Sequence, residues 1–327
     1  MRIGYLGAGN ISSQMAATVA RMDEAENYAV AARDADRARA FADTWGFERA
    51  YGSYEELLAD PAVDLVYVAL PHSHHHRWTI AALEAGHHVL CEKAFAANAA
   101  QAKEMIECAR SRNLLLAEAI WTRYMPSRAM IDGIIASGAI GRVLNVDANL
   151  GYQVDMNERM VKPELCGGAL LDLTVYPLNF ASMVMGDEIE RIDAHMVPIA
   201  TGVDGQDSIM LTYRDGRIAT MFTTMHCMTD RRGLICGTDG FIMVENINNP
   251  QKLYVYAADG LSCELKEEIS VPEQISGYEY EVLACKRAIE NGQVECPEMP
   301  HAETLEIMRQ LDEIRAQFGI VFPFEQV

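Results

Sequence analysis

The chain has 327 residues, with 47 acidic against 27 basic side chains, a formal net charge of −20 and half of its residues hydrophobic. This length and apolar content predict a globular protein with room for two domains with separate cores. The negative charge argues against a nucleic-acid or anionic-membrane surface. No run reaches the roughly 20 apolar residues of a membrane span, and the first residues predict a strand and a turn instead of a signal peptide, so we expect a cytoplasmic protein.

The first predicted strand runs into a glycine turn of the kind that binds dinucleotides. An apolar strand is followed by Gly7-Ala8-Gly9 and then by a predicted helix that begins near Asn10. Gly7 permits the tight turn, and Gly9 lets the backbone approach a pyrophosphate whose charge is met by the helix N-terminus. Ser12 stands where the full fingerprint has a third glycine or alanine. A plain strand, turn and helix is the alternative, but the context favours cofactor binding.

The end of the second predicted strand bears on the choice between NAD and NADP. Arg33 and Asp34 follow this strand, and Arg37 lies one helical turn later. An arginine here can stack on adenine and pair with a 2′-phosphate, which favours NADP. Asp34 keeps NAD as an alternative, because it is either a ligand of the ribose diol or the N-cap of the next helix.

Short apolar strands alternate with helical stretches over residues 1–120, which predicts an α/β domain with a Rossmann-type, doubly wound parallel sheet. The strands are expected near 2–6, 28–32, 64–70, 88–91 and 114–118, and the helices near 11–22, 35–45, 53–59, 74–86 and 98–111. Ligands of such sheets bind outside the carboxyl ends of the strands.

The pattern changes after residue 120, so residues 121–327 are predicted to form a second, α+β domain for substrate binding and dimerisation. A helix over 126–137 leads to eight extended segments joined by turns, which predict a large, mostly antiparallel open sheet. The segments are 142–153, 191–198, 207–213, 217–226, 233–236, 240–245, 252–257 and 263–270, and helices at 169–185, 277–291 and 302–318 are expected to cover one face. A second copy of the chain, giving a homodimer, is the simplest cover for the other face.

Histidines and cysteines are the first candidates for a metal site. His72 and His76 follow a predicted strand end and would share a face if helical, but no acidic or cysteine partner lies nearby in the sequence. We expect instead that His72 and His75 line the cofactor and substrate cleft. The eight cysteines include no Cys-x-x-Cys pair, so we expect reduced thiols and no metal.

Two segments supply candidate catalytic groups. Glu92 and Lys93 end a predicted strand, and they are either a solvated pair or, beside a cofactor, a site where the lysine stabilises a substrate oxygen. In the segment 167–177, Asp172 and Tyr176 lie four residues apart on an apolar stretch. At helical spacing they share a face, which suits a phenol that exchanges a proton and a carboxylate that orients it. The alternative is a helix N-terminal charge and a core aromatic.

Two aromatic side chains, Trp121 and Tyr124, follow the last predicted strand of the first domain. They suit stacking on the apolar face of a sugar or cyclic diol ring. The alternative is a core aromatic pair.

The Gly-x-Gly opening, the Glu92-Lys93 pair and the Gly-Gly-Ala-x-x-Asp-x-x-x-Tyr block resemble the Gfo/Idh/MocA family of oxidoreductases, which includes glucose-fructose oxidoreductase and inositol dehydrogenase. The resemblance covers essentially the whole chain. The run from Glu118 to Tyr124, together with Tyr176, is most similar to the branch of dimeric dihydrodiol dehydrogenases and NADP-linked D-xylose dehydrogenases.

The resemblance implies a role for each matching residue. Lys93 would contact the reacting oxygen, Tyr176 would donate and accept the proton, and Asp172 would support Tyr176. The remaining matches would bind the cofactor, at Gly7, Gly9, Asn10, Ile11, Arg33, Arg37, His72, His75 and Glu92, or line the substrate cleft, at Trp121, Arg123 and Tyr124.

Departures from the family pattern lead to further expectations. Ala94 replaces the proline that follows the family's lysine and whose peptide bond is usually cis. A cis bond before alanine costs about 3 kcal/mol, so we expect the Lys93–Ala94 bond to be trans. Thr174 replaces a glycine, and its side chain is expected to crowd the site. Pro177 belongs to the family pattern and requires a kinked helix at Tyr176.

The sequence therefore predicts an NADP-dependent oxidoreductase that transfers a hydride between nicotinamide and a carbinol carbon of a sugar, polyol or cyclic diol. Tyr176 would move the hydroxyl proton and Lys93 would stabilise the oxygen. One alternative is a glycosidase of the same fold that uses tightly held NAD for transient oxidation. The other is a non-catalytic NAD(P)-binding sensor.

Overall fold

A computed structural model of the chain describes residues 1–325. The residues form two compact units. The first comprises Met1–Tyr124 and Gln274–Met308, and the second comprises Met125–Glu273 and the described residues from Arg309 onward. Residues 274–308 therefore belong to the first unit although they follow most of the second unit in the chain. A single boundary at residue 120, as predicted, does not describe this return.

Six parallel strands form the sheet of the first unit. They are β1 (Arg2–Leu6), β2 (Glu26–Ala31), β3 (Arg49–Tyr51), β4 (Leu65–Val68), β5 (His88–Glu92) and β6 (Leu116–Ala119). Their order across the sheet is β3-β2-β1-β4-β5-β6, which is the doubly wound Rossmann order with its switch point between β1 and β4. All residues of β4 are fully buried, as expected of a central parallel strand with both faces covered.

Five helices connect these strands. They are α1 (Asn10–Val19), α2 (Ala35–Trp45), α3 (Tyr54–Leu58), α4 (His72–Glu84) and α5 (Ala99–Arg112). Three of them begin with a side-chain N-cap, because Asp34, Ser53 and Asn98 each accept a hydrogen bond from the backbone N–H three residues later.

Eight strands form the sheet of the second unit. They are β7 (Val143–Gly151), β8 (Ile189–Pro198), β9 (Asp204–Tyr213), β10 (Ile218–Thr224), β11 (Gly233–Gly237), β12 (Gly240–Val244), β13 (Lys252–Asp259) and β14 (Ser262–Ser270). Their order is β14-β13-β12-β11-β7-β10-β9-β8. Every neighbouring pair is antiparallel except β7 and β10, which are parallel.

The second unit has helical segments on either side of β7 in the chain. They are α6 (Pro126–Ala136), the short α7 (Glu158–Val161), and a π-helical turn (Leu170–Thr174) that continues directly as α8 (Val175–Met185). Helix α8 packs against β7 and β10. Several large apolar side chains of the strands are partly exposed, such as Leu144 (39%), Ile218 (36%) and Phe222 (40%).

Of the two last helices, α9 (Glu279–Glu290) differs from the expectation that both would cover the antiparallel sheet, and so does the start of α10 (His301–Phe318). From Arg309 onward α10 belongs to the second unit, where Gln317 donates to the carbonyl of Ile192 in β8 (2.8 Å). Helix α9 and the first residues of α10 belong to the first unit. The N–H of Leu116 donates to the carbonyl of Val294 (3.0 Å), and the ring of His301 contacts the carbonyl of Leu116 (2.8 Å). This segment is therefore held at the edge strand β6.

The predicted α/β fold, with one parallel sheet and one mostly antiparallel sheet, is confirmed. Strand β3 was not predicted, because it has only three residues and no buried side chain. The segment Pro163–Met185 is long and apolar enough to cross a membrane by length and composition, which the sequence expectation had excluded. However, 83% of its most apolar window is buried within the fold, as in the core helix of a globular protein.

Candidate active site

The turn after β1 is shaped by two glycines with different roles. Gly7 has φ +110°, and a Cβ there would lie 2.5 Å from the carbonyl oxygen of Ala69, so only glycine fits. A Cβ on Gly9 would meet no atom within 4 Å, so space lies open beside this backbone. Ser12 occupies the position of the third glycine, and its hydroxyl donates a hydrogen bond to the carbonyl of Gly7 (2.8 Å).

Helix α1 begins at this open space with Asn10, which is exposed, and Ile11, which is half-buried. Its N-cap, Gly9, has no side chain to accept a hydrogen bond from the first turn, and that turn contains no acidic residue. The first backbone N–H groups and the positive end of the helix dipole are thus suited to an anion.

Two arginines lie beyond the end of β2. Arg33 is exposed, and Arg37 donates from Nη2 to the carbonyl of Ala8 in the glycine turn (2.9 Å). The carboxylate of Asp34 accepts from the N–H of Arg37 (2.9 Å), so the structure shows the N-cap alternative for this residue. Burial lowers the pKa of His74, and the positive charge of Arg33 lowers it further, which places the His74 ring near the Arg33 guanidinium.

The histidine run occupies the first turns of α4, where each ring has different surroundings. His75 is fully buried, with Nδ1 2.8 Å from the carbonyl oxygen of Ala94 and Nε2 2.7 Å from a second carbonyl oxygen. Burial lowers its pKa to about 4, although the two carbonyl contacts act in the opposite direction. His72 is buried beside His75, with ring centroids 5.7 Å apart, whereas His76 pairs with Glu104 (2.8 Å). Within residues 1–325, no three His, Cys, Asp or Glu side chains are grouped as metal ligands.

Glu92 and Lys93 lie at the carboxyl end of β5, as predicted. Glu92 is buried, and it accepts a short hydrogen bond from the hydroxyl of Tyr67 and a second one from the N–H of Lys93 (3.2 Å). The side chain of Lys93 is half-buried, and its positive charge contributes to the low pKa of His75. The glutamate is thus a buried anchor for the backbone that carries the lysine.

The peptide bond between Lys93 and Ala94 is cis, so the expectation of a trans bond is wrong. The expectation used only the general preference for trans before a non-proline residue. Here Ala94 is completely buried, and its carbonyl oxygen lies against His75. Tertiary surroundings therefore decide the conformation of this bond.

The three residues predicted to line the substrate cleft are nearly fully buried. Trp121 stacks on Tyr278, with centroids 4.4 Å apart and 19° between the rings. Arg123 pairs with Glu303 (2.5 Å), and the hydroxyl of Tyr124 donates to a carbonyl oxygen of β6 (2.8 Å). These contacts fix the segment within the first unit, and contact with a substrate stays a prediction.

Asp172 and Tyr176 lie in the second unit, where the π-helical turn passes into α8. Both are buried, with 5% and 8% of their surfaces exposed. Asp172 Oδ1 accepts from Arg159 Nη1 (2.6 Å), which places a guanidinium directly beside the carboxylate. Pro177 lies in the first turn of α8 and lacks an N–H donor, and the distortion expected of it takes the form of the π-helical turn just before it.

Thr174 does not crowd this site, so that expectation is wrong. Its side chain is completely buried and directed to the sheet, where its hydroxyl donates to Asp207 (2.8 Å) and lies 2.6 Å from the hydroxyl of Thr223. The expectation assumed that a larger residue between Asp172 and Tyr176 must face the same side as they do.

Comparison with known proteins agrees with this geometry. Residues 1–119 match the model of an oxidoreductase family with an NAD-binding Rossmann fold, and residues 129–243 match the Gfo/Idh/MocA C-terminal domain. The chain belongs to the Gfo/Idh/MocA oxidoreductase family.

Several Gfo/Idh/MocA proteins are similar over most of the chain. D-xylose 1-dehydrogenase (NADP(+)) of Hypocrea jecorina is 36% identical over 84% of this chain and 78% of that protein. Trans-1,2-dihydrobenzene-1,2-diol dehydrogenase of Xenopus tropicalis is 33% identical over 98% of each chain. A 3-ketoreductase from Actinomadura kijaniata, solved with NADP and TDP-benzene, is 26% identical with a TM-score of 0.88 over 97% of each chain. That ketoreductase has also been solved with one lysine replaced and with one tyrosine replaced.

Sequence reasoning missed several charged groups of this Gfo/Idh/MocA protein. Arg159 lies in a short helix with no recognisable motif, so nothing in the sequence links it to Asp172. Glu118 is buried in β6 and accepts from the hydroxyl of Thr304 (2.9 Å), and burial raises its pKa to about 7. A glutamate inside the apolar strand Leu116–Ala119 was the available signal for that buried acid.

Proposed function

We propose that this protein is an NADP-dependent dehydrogenase that acts on a carbinol carbon of a sugar, polyol or cyclic diol. The observation that carries the proposal is the burial of Asp172 and Tyr176, with Asp172 held beside Arg159, in a chain whose other unit has a Rossmann glycine turn. The names of the two relatives, a sugar dehydrogenase and a dihydrodiol dehydrogenase, support a small hydroxylated substrate.

The residues of the first unit fit NADP. The open backbone at Gly9 and the N-terminus of α1 suit the pyrophosphate. Arg33 is exposed at the end of β2, where it suits a 2′-phosphate, and the carboxylate of Asp34 is occupied as an N-cap. The NADP-linked D-xylose dehydrogenase and the ketoreductase solved with NADP support the same choice. When bound, the nicotinamide accepts or donates the hydride.

We assign the proton transfer to Tyr176 and the stabilisation of the substrate oxygen to Lys93. A phenol can exchange a proton with a substrate hydroxyl, and an ammonium group stabilises an oxygen that gains negative charge. Asp172, fixed by Arg159, orients the tyrosine. The ketoreductase structures with a replaced lysine and a replaced tyrosine, at a spacing close to that of Lys93 and Tyr176, support this assignment.

The open face of the second sheet supports a homodimer. Phe222 and Leu144 are about two-fifths exposed on neighbouring strands, and Phe241 stacks on Tyr256 (4.5 Å) on the same sheet. A broad, flat apolar sheet face is covered most simply by the same face of a second copy.

The test of the function is NADP reduction at 340 nm against a panel of aldoses, inositols and cyclic diols, with NAD in parallel. We expect turnover with NADP on at least one member of the panel and weaker turnover with NAD. Binding of NADP without turnover on any substrate contradicts the proposal and favours the sensor alternative. Release of free sugar without net cofactor reduction favours the glycosidase alternative.

A further inference from the structure

Two buried acids of β9 lie against the helix that carries Asp172 and Tyr176. Asp204 and Asp207 are each 2% exposed. Neither has a cationic partner among the hydrogen bonds and ion pairs that the structure describes for it. Such groups are rare, because a buried carboxyl is expensive unless something satisfies it. The contacts of these two carboxyl groups therefore indicate their role.

Asp204 holds the start of the π-helical turn. Its Oδ2 accepts from the N–H of Leu170 (2.5 Å), which is the first residue of the turn. The approach is close because residue 168 is glycine, with φ +118°, and a Cβ there would lie 2.2 Å from Asp204 Oδ1. The acid thus satisfies a backbone donor that a helix start leaves without an internal partner.

Asp207 holds the end of the same turn. Its Oδ2 accepts from the hydroxyl of Thr174 (2.8 Å) and from that of Thr223 (3.3 Å), and the two hydroxyls lie 2.6 Å apart. Thr174 is the last residue of the π-helical turn. The second acid is therefore linked to the opposite end of the turn from the first.

We propose that Asp204 and Asp207 are positioning residues that hold both ends of the π-helical turn and thereby fix Asp172 and Tyr176 for proton transfer. The inference rests on the proposed function for its catalytic consequence. A π-helical turn is intrinsically less stable than α-helix and is often found at functional sites, so it requires anchors outside its own backbone. Asp172 lies midway between the two anchored residues, and Tyr176 follows two residues after the second.

The electrostatic setting disfavours ionisation of both acids. Burial, and then repulsion by Asp207, raises the pKa of Asp204 well above its usual range, and burial raises the pKa of Asp207 to about 7. Near these acids, Asp172 pairs with Arg159, and Nδ1 of His226 lies 3.1 Å from Asp155. Replacement of both acids by apolar residues would pack at lower cost, so their retention suggests a role beyond stability.

The experiment compares three single substitutions. Thr174→Val removes the hydroxyl that binds Asp207 without changing volume, and Thr174→Ser keeps it. The matched control is Thr304→Val, which removes an equally buried hydroxyl from a buried carboxyl, that of Glu118 at 2.9 Å, in the other unit. Measured quantities are kcat and KM on the panel substrate, Kd for NADP, thermal stability, and hydrogen exchange of the peptide covering residues 167–176.

Thr174→Val is expected to lower kcat by about tenfold or more with little change in Kd for NADP, as for a small misplacement of a catalytic group. Its peptide 167–176 should exchange faster than in the unchanged protein. Thr174→Ser should keep kcat and the exchange rate of this peptide close to those of the unchanged protein. Thr304→Val should lower thermal stability while leaving kcat and the exchange rate unchanged. These results together support the positioning role.

Unchanged kcat and exchange in Thr174→Val would overturn the proposal, as would an equal loss of kcat in Thr304→Val. Failure of Thr174→Ser to restore kcat would also overturn it, because the loss would then come from packing. If the unchanged protein turns over no panel substrate, the proposed function fails, while the exchange of peptide 167–176 still decides whether the acids hold the turn.

Discussion

Replacement of Glu118 by glutamine is expected to change how the stability of the first unit depends on pH. Glu118 is 2% exposed, and burial raises its pKa from an ordinary 4.5 to about 7, although the hydroxyl of Thr304 and the charge of Arg123 partly oppose the shift. A raised pKa means that the folded state holds the proton more tightly than the unfolded chain. The stabilisation is therefore fully present below pH 4.5 and is lost as the pH rises through 7.

The size of this effect follows from the shift of the pKa. Each pKa unit corresponds to about 1.4 kcal/mol, so the full loss for Glu118 is about 3 kcal/mol, of which about 2 to 3 kcal/mol falls between pH 5 and pH 8. Glutamine keeps an oxygen for the hydroxyl of Thr304 but does not titrate. The free energy of unfolding of the unchanged protein, minus that of Glu118→Gln, should therefore fall by that amount over this interval.

Urea unfolding followed by tryptophan fluorescence is a suitable assay, since all three tryptophans, at 45, 78 and 121, lie in the first unit. Glu107→Gln is the control, because that side chain is 64% exposed and should give a constant difference between pH 5 and pH 8. The reasoning is refuted if the difference for Glu118→Gln is equally constant.

Three further predictions concern the cofactor, the ion pair of Arg159 and Asp172, and the assembly. Arg33→Ala should raise the Kd for NADP by about 10-fold to 100-fold, because a hydrogen bond to a charged group is lost. The Kd for NAD should stay unchanged in the same fluorescence titrations, and an equal change for both cofactors would contradict this prediction. Arg159→Met should lower stability by about 1 to 2 kcal/mol, less than for a fully buried pair because the arginine is 42% exposed. Adding Asp172→Asn should recover stability but not activity in calorimetry and turnover assays. Phe222→Glu should convert a dimer into a folded monomer by light scattering, and a monomeric unchanged protein would contradict the dimer.

The positions of most strands and helices could be predicted because apolar residues repeat with the period of each element. The doubly wound parallel sheet followed from the alternation of strand and helix, and the role of Gly7 followed from the turn. Strand β3 could not be found, since pairing with β2, and not burial, defines Arg49–Tyr51. Periodicity detects burial, so a short exposed edge strand leaves no pattern.

The candidate site was predicted less completely than the fold. Asp172 and Tyr176 were proposed from their spacing, and their catalytic role stays a prediction; the π-helical turn Leu170–Thr174 was not predicted. A π-helical turn holds more residues than an α-helical turn, so faces assigned at 3.6 residues per turn shift, and Thr174 faces the sheet. The cis bond at Ala94 and the pairing of Asp172 with Arg159 depend on residues distant in the sequence, and no local preference encodes them.

The most direct test of the central claim compares Tyr176→Phe with Tyr213→Phe. Tyr213 is a buried tyrosine of the same unit whose hydroxyl has no hydrogen-bond partner within residues 1–325, so its replacement should leave turnover unchanged. Tyr176→Phe should lower kcat for NADP reduction by about 100-fold or more while NADP still binds, because it removes the group that moves the proton. Retention of full turnover in Tyr176→Phe would show that another group transfers the proton and would contradict the proposed mechanism.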